Sequence, residues 1–266
     1  MTSPRASQLA PEHAFVVMAH GDSPFLLGCL ASLRAQSLSS SIAITTSTPS
    51  PFIEEAAAAA SAPLIVNPGR GGIAADWNFA LRASEARYVT LAHQDDVYFP
   101  PFLAASLDLL TTVPDAALAF TSYVEIGDDG SRVRSRTSLI KHALEAMTLG
   151  RRVVPGPARL RAFLSLANPL PCSSVTLDRA RLGDFAFSDA FRSNLDWDAW
   201  LRLLGGGAVF ARTAERLVGR RHNRLTATTA LTREGVRERE DQVMFRRLWP
   251  RPVADLIALA YKVGYR

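Results

Sequence analysis

Four short stretches hold residue types able to do chemistry. Gln94-Asp95-Asp96 follows directly on Tyr88–Ala92, a run of apolar and small residues. Adjacent carboxylates repel each other unless a cation sits between them or both face solvent. Hard divalent ions such as Mg²⁺ or Mn²⁺ take carboxylate oxygens and keep places for water and phosphate. Asn67-Pro68-Gly69-Arg70-Gly71-Gly72-Ile73-Ala74 is a glycine-rich turn. Gly69, Gly71 and Ala74 fit the dinucleotide pattern G-x-G-x-x-A, with Asp95 placed downstream as its ribose acid would be. Arg70 inside the turn can serve a pyrophosphate, and the same glycines can equally make only a tight turn. In Asn194-Leu195-Asp196-Trp197-Asp198 the tryptophans fall at helical spacing with Trp200, and Asp196 stands at a helix start, where a carboxylate is stabilised. An ordinary helix cap would read the same way. Arg220-Arg221-His222 leads on to Thr226; a histidine among arginines is held neutral, which favours a ligand over an acid.

Positioning these groups requires alternating strands and helices. Strands are predicted at Ala14–Ala19, Ile42–Thr46, Leu64–Val66, Tyr88–Ala92 and Ala117–Ile126. Helices are predicted between them: from Ser23-Pro24 to Gln36, over Phe52–Ala62, over Ile73–Ala86 and from Pro101 to Thr112. Such alternation implies crossover units, a mostly parallel sheet with helices on both faces, and ligands at the carboxyl ends of the strands. The rhythm then breaks. The reading of 127–157 is an excursion with a short helical pattern, His142–Leu149. Helices near 158–166, 196–204, 234–248 and 253–261 follow, with a short strand at Ser174–Leu177.

Taken in order, these stretches resemble glycosyltransferase family 2, over roughly Phe15 to Thr229. The carriers are Leu30-Ala31-Ser32-Leu33-Arg34-Ala35-Gln36, then Asn67-Pro68-Gly69 running to Asp76-Trp77-Asn78-Phe79-Ala80-Leu81, then Gln94-Asp95-Asp96. Leu195-Asp196-Trp197-Asp198-Ala199-Trp200-Leu201-Arg202-Leu203 and Arg220-x-His222 to Thr226 complete the set. Two positions depart from the family pattern. Thr45-Thr46-Ser47-Thr48 lacks the acid that reads the nucleotide base, and Leu195 replaces the first acid of a Glu-Asp pair.

The resemblance implies an α/β GT-A fold and a nucleotide-diphosphate sugar donor. It further implies Mn²⁺ or Mg²⁺, and single displacement with inversion onto a glycan or lipid-linked hydroxyl, as in polysaccharide or envelope glycan synthesis. It assigns Asp96 and His222 to the metal, and Asp196, with Asp198 as fallback, to the general base. Donor contacts are expected from Ala19, His20, Thr46, Asn67, Gly69, Arg70, Gly71, Asp76, Asn78, Gln94, Asp95 and Arg220. Competing readings are an NAD(P)-dependent oxidoreductase, resting on Gly69, Gly71 and Asp95 alone, and an inactive sugar-binding module.

Composition sets the outer bounds. Of 266 residues, 48% are hydrophobic and 21% charged, which excludes a largely disordered chain. The net charge of +5 suits an anionic partner, although nearly all of it is arginine and no nucleic-acid recognition motif accompanies it. Two cysteines cannot build a disulfide framework. Residues 1–13 read as an unstructured tail without a secretory signal, 14–250 as the transferase domain divided near residue 126 into nucleotide-sugar and acceptor halves, and 251–266 as an amphipathic helix. That helix sets Leu256, Ile257, Leu259, Ala260 and Val263 between Arg246, Arg247, Arg251, Lys262 and Arg266. It suits packing on the core, a homodimer contact or weak attachment to the inner membrane face of a cytoplasmic protein.

Overall fold

The computed structural model describes residues 4–222 and 227–263; Thr226 and Arg266 lie outside the described residues. The strands are β1 (His13–Ala19), β2 (Ser41–Thr46), β3 (Leu64–Val66), β4 (Tyr88–His93), β5 (Val97–Tyr98), β6 (Ala116–Ile126), β7 (Arg132–Val133), β8 (Val175–Asp178) and β9 (Val209–Arg221). They form one sheet in the order β3-β2-β1-β4-β8-β6-β9-β5, with β7 on β6. β1, β2, β3 and β4 pair in parallel, as the alternating pattern requires. β8 then runs antiparallel to both β4 and β6, and β5 antiparallel to β9. The expectation of a mostly parallel sheet is therefore corrected: the sheet is mixed. β8 reaches its place only after the long 127–174 excursion, and no local period encodes its direction.

Strand alternation divides the core in two. Phe15 and Val17 face one side of the sheet and Val16 the other, because successive side chains point to opposite faces. The first side is closed by α1 (Pro4–Leu9), α2 (Leu26–Arg34), α3 (Pro51–Ala59) and α5 (Phe102–Thr112). The second is closed by α4 (Ile73–Arg82), α6 (Arg136–Thr148), α7 (Pro157–Ser165), α9 (Leu195–Gly205), α11 (Val236–Leu248) and α12 (Arg251–Val263). Two short helices, α8 (Arg179–Leu182) and α10 (Ala227–Arg233), complete the chain. The tail expectation fails from Pro4 onward: α1 buries Ala6 against the first core.

α9 is anchored along its length. Trp197 and Trp200 are fully buried, and their indole N–H groups donate to the carbonyls of Leu164 (2.7 Å) and Leu170 (2.9 Å). Burying a large apolar side chain contributes about 1.5–3 kcal/mol, and bonding both indole donors avoids the penalty of leaving them dry. The helix entry is held as well: the Glu240 carboxylate accepts the backbone N–H groups of Arg192, Ser193 and Asn194 at 2.7, 2.8 and 3.0 Å.

α12 lays Ala254, Ile257 and Tyr261 against the second core, and Tyr261 meets Phe245 edge to face at 5.5 Å. Leu256 and Leu259 stay exposed. Three of the flanking cations are engaged within the fold: Arg246 with Asp255, Arg247 with Asp198 and Lys262 with Glu238. No helix among the described residues is long and apolar enough to cross a membrane.

Candidate active site

A cleft of about 450 Å³ opens at the carboxyl ends of β1, β2 and β4, where the end of β9 and the start of α9 also arrive. Ala19, His20, Thr46, Asn67, Asp76, Gln94, Asp95, Asp96, Asp196, Arg220 and His222 all line it. Residues about two hundred positions apart in the chain, from Ala19 to His222, therefore line one cleft.

The β4 end supplies the acids. Asp96 is 4% exposed and its Oδ1 accepts the backbone N–H of Arg221 at 2.9 Å, which locks the acidic turn onto β9. The Arg221 side chain reinforces this by donating Nε–H to the Asp95 carbonyl at 2.9 Å and by bonding the carbonyls of Gly127 and Asp128. Asp95 accepts the Ser23 hydroxyl at 2.6 Å. Burial raises its carboxyl above the usual range and the Asp96 charge adds to that, while the Ser23 hydrogen bond opposes them. Ser23 thus serves Asp95 instead of capping a helix at Pro24, and α2 begins only at Leu26. Gln94 ties β4 to β1, accepting the His20 N–H at 3.1 Å and donating to the His20 carbonyl at 2.9 Å.

His222 stands just past β9, which the sequence reading missed altogether. Its Nε2 is 3.0 Å from Glu125 Oε1 at the end of β6. Glu125 is 3% exposed; burial pushes its carboxyl up, but hydrogen bonds from His222 and Ser135 and the charges of His222 and Arg220 bring it down to about 2. A carboxylate behind one ring nitrogen orients the other, a usual arrangement for a metal-binding imidazole. Asp96 adds a hard carboxylate whose Oδ2 has no hydrogen bond among the described residues. The donor chemistry fits a divalent ion. It is not a complete cage, since among the described residues no cluster of three or more acidic, histidine or cysteine side chains could hold a metal alone. Substrate phosphates and water would supply the remaining positions.

The two candidate bases part company. Asp196 lies in the first turn of α9, with Oδ1 accepting from Asn168 Nδ2 at 2.7 Å and from the Trp197 N–H at 2.9 Å. Oδ2 has no hydrogen bond among the described residues, and the side chain lines the cleft. Asp198 instead points away from the cleft lining into two ion pairs, with Arg202 at 2.7 Å and Arg247 at 3.0 Å. Half a helical turn separates the two environments, so the fallback assignment to Asp198 is withdrawn.

Four expected donor contacts are also placed elsewhere. Gly69, Arg70 and Gly71 stay outside the cleft lining. Gly71 is needed for close approach, since a Cβ there would meet the Ser47 Oγ at 2.9 Å. Asn78 spends its amide on the backbone of Phe187, donating to its carbonyl at 2.8 Å and accepting its N–H at 2.7 Å. Asp76 accepts from Ser47 Oγ at 2.9 Å and Asn67 Nδ2 at 2.8 Å, bracing the β2 and β3 ends at the cleft rim. The dinucleotide reading loses its glycines by this placement.

Lys141, counted in the sequence only as one of two lysines, reaches the cleft from α6 and is 5% exposed. Burial, with the charges of Arg220 and Arg237, lowers its ammonium to about 7, against the pull of Glu125 and Asp241.

The fold is shared with solved structures. Staphylococcus aureus TarS residues 1–349 in complex with UDP-GlcNAc aligns with a TM-score of 0.61 at 13% identity, over 95% of this chain and 72% of that one. Glucosyl-3-phosphoglycerate synthase from Mycobacterium tuberculosis, in complex with phosphoglyceric acid, aligns with a TM-score of 0.53 at 18% identity, over 87% and 83%. A search of curated proteins finds no match. The family model "Glycosyl transferase family 2" matches residues 14–164, more than half the chain and the part that carries β1 to β6 with the Asp95-Asp96 turn. By that match, the chain belongs to glycosyltransferase family 2 and is an inverting nucleotide-sugar transferase.

Proposed function

We propose that the cleft binds a nucleotide-diphosphate sugar with Mn²⁺ or Mg²⁺ and that Asp196 deprotonates an acceptor hydroxyl of a glycan or lipid-linked molecule. The observation that carries this reading is that Asp96 and Asp196, each with one carboxylate oxygen free of protein hydrogen bonds among the described residues, line the same cleft. Asp96 and His222 would hold the ion, which when bound neutralises charge on the departing diphosphate. Arg220 adds a fixed positive charge for the same group, and Asp95, kept close to Ser23, meets the donor ribose or sugar. Thr46, with its hydroxyl at the end of β2, faces the nucleoside where relatives carry an acid. A uridine nucleotide is the first donor to try, because TarS was solved with one.

Asp196 is suited to its role by what it lacks. One oxygen is pinned by Asn168 and the Trp197 N–H, which fixes the carboxylate plane, and the other can take the proton as the acceptor oxygen attacks the anomeric carbon. A single base and a single displacement invert the anomeric centre. For the exposed Leu256 and Leu259 of α12, a second copy or a membrane surface is the proposed occupant.

The test is a thermal-shift panel of nucleotide sugars with and without Mn²⁺, run beside NADH and NADPH. A native-state ligand raises the melting temperature by mass action. One nucleotide sugar should do so only with metal present. A shift with NAD(P)H and none with any nucleotide sugar would overturn the reading.

A further inference from the structure

The transferase reading leaves one buried cation of the cleft without work. Lys141 makes no hydrogen bond or ion pair among the described residues, although its side chain is almost wholly withdrawn from water. An ammonium in that position needs a counter-charge. Its acidic neighbours are already engaged: Glu125 by His222 and Ser135, and Asp241 by the Asn194 amide at 2.9 Å. Arg220 and Arg237 bring further positive charge to the same wall. The Lys141 ammonium therefore has no direct counter-charge among the described residues, and it lines the cavity.

We propose that Lys141 forms an oxyanion subsite that holds a phosphate or carboxylate group of the acceptor. The inference rests on the transferase reading of the cleft and names its acceptor class: an anionic one. The donor diphosphate has its own seat at the ends of β4 and β9, near Asp96 and His222. Lys141 comes instead from α6, in the excursion beyond the nucleotide half. The same wall connects through Asp241 and Asn194 to the entry of α9, where Asp196 stands. An acceptor gripped by its anion at Lys141 would present a nearby hydroxyl to that base.

The test is calorimetric titration of inorganic phosphate into the intact protein, with and without saturating UDP and Mn²⁺, for the native chain and for Lys141→Met. Phosphate should bind the native protein in both states. Lys141→Met should weaken phosphate at least tenfold while changing UDP affinity less than twofold. If Lys141→Met weakens UDP as much as phosphate, the subsite belongs to the donor and the proposal falls. If the native protein binds no phosphate at millimolar concentration, it falls as well. Failure of UDP to bind would refute the donor reading alone, because the nucleotide-free phosphate arm still decides the subsite. A second measurement needs no variant. Lys262 pairs with Glu238 at the surface and is the only other lysine, so it is an internal control for acetic anhydride labelling read by mass spectrometry. Phosphate should slow labelling of Lys141 at least fivefold and leave Lys262 unchanged; equal labelling of Lys141 with and without phosphate would overturn the proposal.

Discussion

Replacing Asp196 and Asp198 separately by asparagine should split stability from catalysis. Asp198 is 5% exposed and accepts from Arg202 at 2.7 Å and Arg247 at 3.0 Å. Hydrogen bonds to charged groups contribute about 1.5–3 kcal/mol each. The arginine side chains are 43% and 52% exposed, so solvent screens much of this, and the two bonds together are worth about 1–3 kcal/mol. For a chain of this size that is a drop in Tm of about 3–10 °C. Transfer below the transition should stay near native in Asp198→Asn. Asp196→Asn should melt close to the native protein, because an amide oxygen can still accept from Asn168 and the Trp197 N–H. Losing the base should lower kcat by about 10²–10⁴ and leave donor affinity nearly unchanged. Differential scanning calorimetry and initial rates on the two variants make the comparison. A catalytically dead, thermally normal Asp198→Asn beside an active Asp196→Asn would refute the assignment.

Acid sensitivity should carry the signature of a buried histidine. Burial lowers His13 from 6.5 to about 3, so the unfolded chain takes its proton first; stability is full above pH 6.5 and declines as pH falls toward 3, by up to about 1.4 kcal/mol per pH unit. His13→Gln should flatten that limb in urea titrations, and an unchanged slope would contradict the burial argument. Glu125 acts with the same sign lower down, its contribution present above pH 4.5 and lost toward pH 2, so Glu125→Gln should remove the loss in that interval. Asn78→Ala should cost about 1–3 kcal/mol by stranding both backbone groups of Phe187, with donor affinity preserved. Truncation after Pro250 should destabilise the fold, since it removes Ala254, Ile257 and Tyr261 from the second core; a truncated protein with native Tm would show that α12 packs on nothing essential.

How the residues write these features differs from element to element. β1 to β4 were visible because each is a short apolar run bounded by turn residues, and the acidic turn follows from the end of β4. β9 was not visible. Its centre, Thr213–Arg216, is polar and largely exposed, and buried Arg212 is satisfied by partners far away in sequence, the Glu145 carboxylate and the Gly150 carbonyl. The Arg220-x-His222 motif therefore falls on no predicted element, although Arg220 and Arg221 end β9. Glu125 did leave a signal, as a carboxylate near the end of the otherwise uncharged strand β6. Lys141 left none, because neither its burial nor the convergence of Arg220 and Arg237 can be inferred from the amphipathic helix that carries it. The difference between Asp196 and Asp198 depended on half a turn of helix and on Arg247, both set by tertiary packing.

Inversion at the anomeric carbon is the direct consequence of a single displacement with Asp196 as base. Once the thermal-shift panel has identified a donor, the product of a native-enzyme reaction should be examined by proton NMR before it can equilibrate. An α-linked nucleotide sugar should give a β-linked product, read from the coupling constant of the anomeric proton, with Asp196→Asn giving no product on the same timescale. An α-linked product would require a double displacement, and the single-base mechanism built on Asp196 would be wrong.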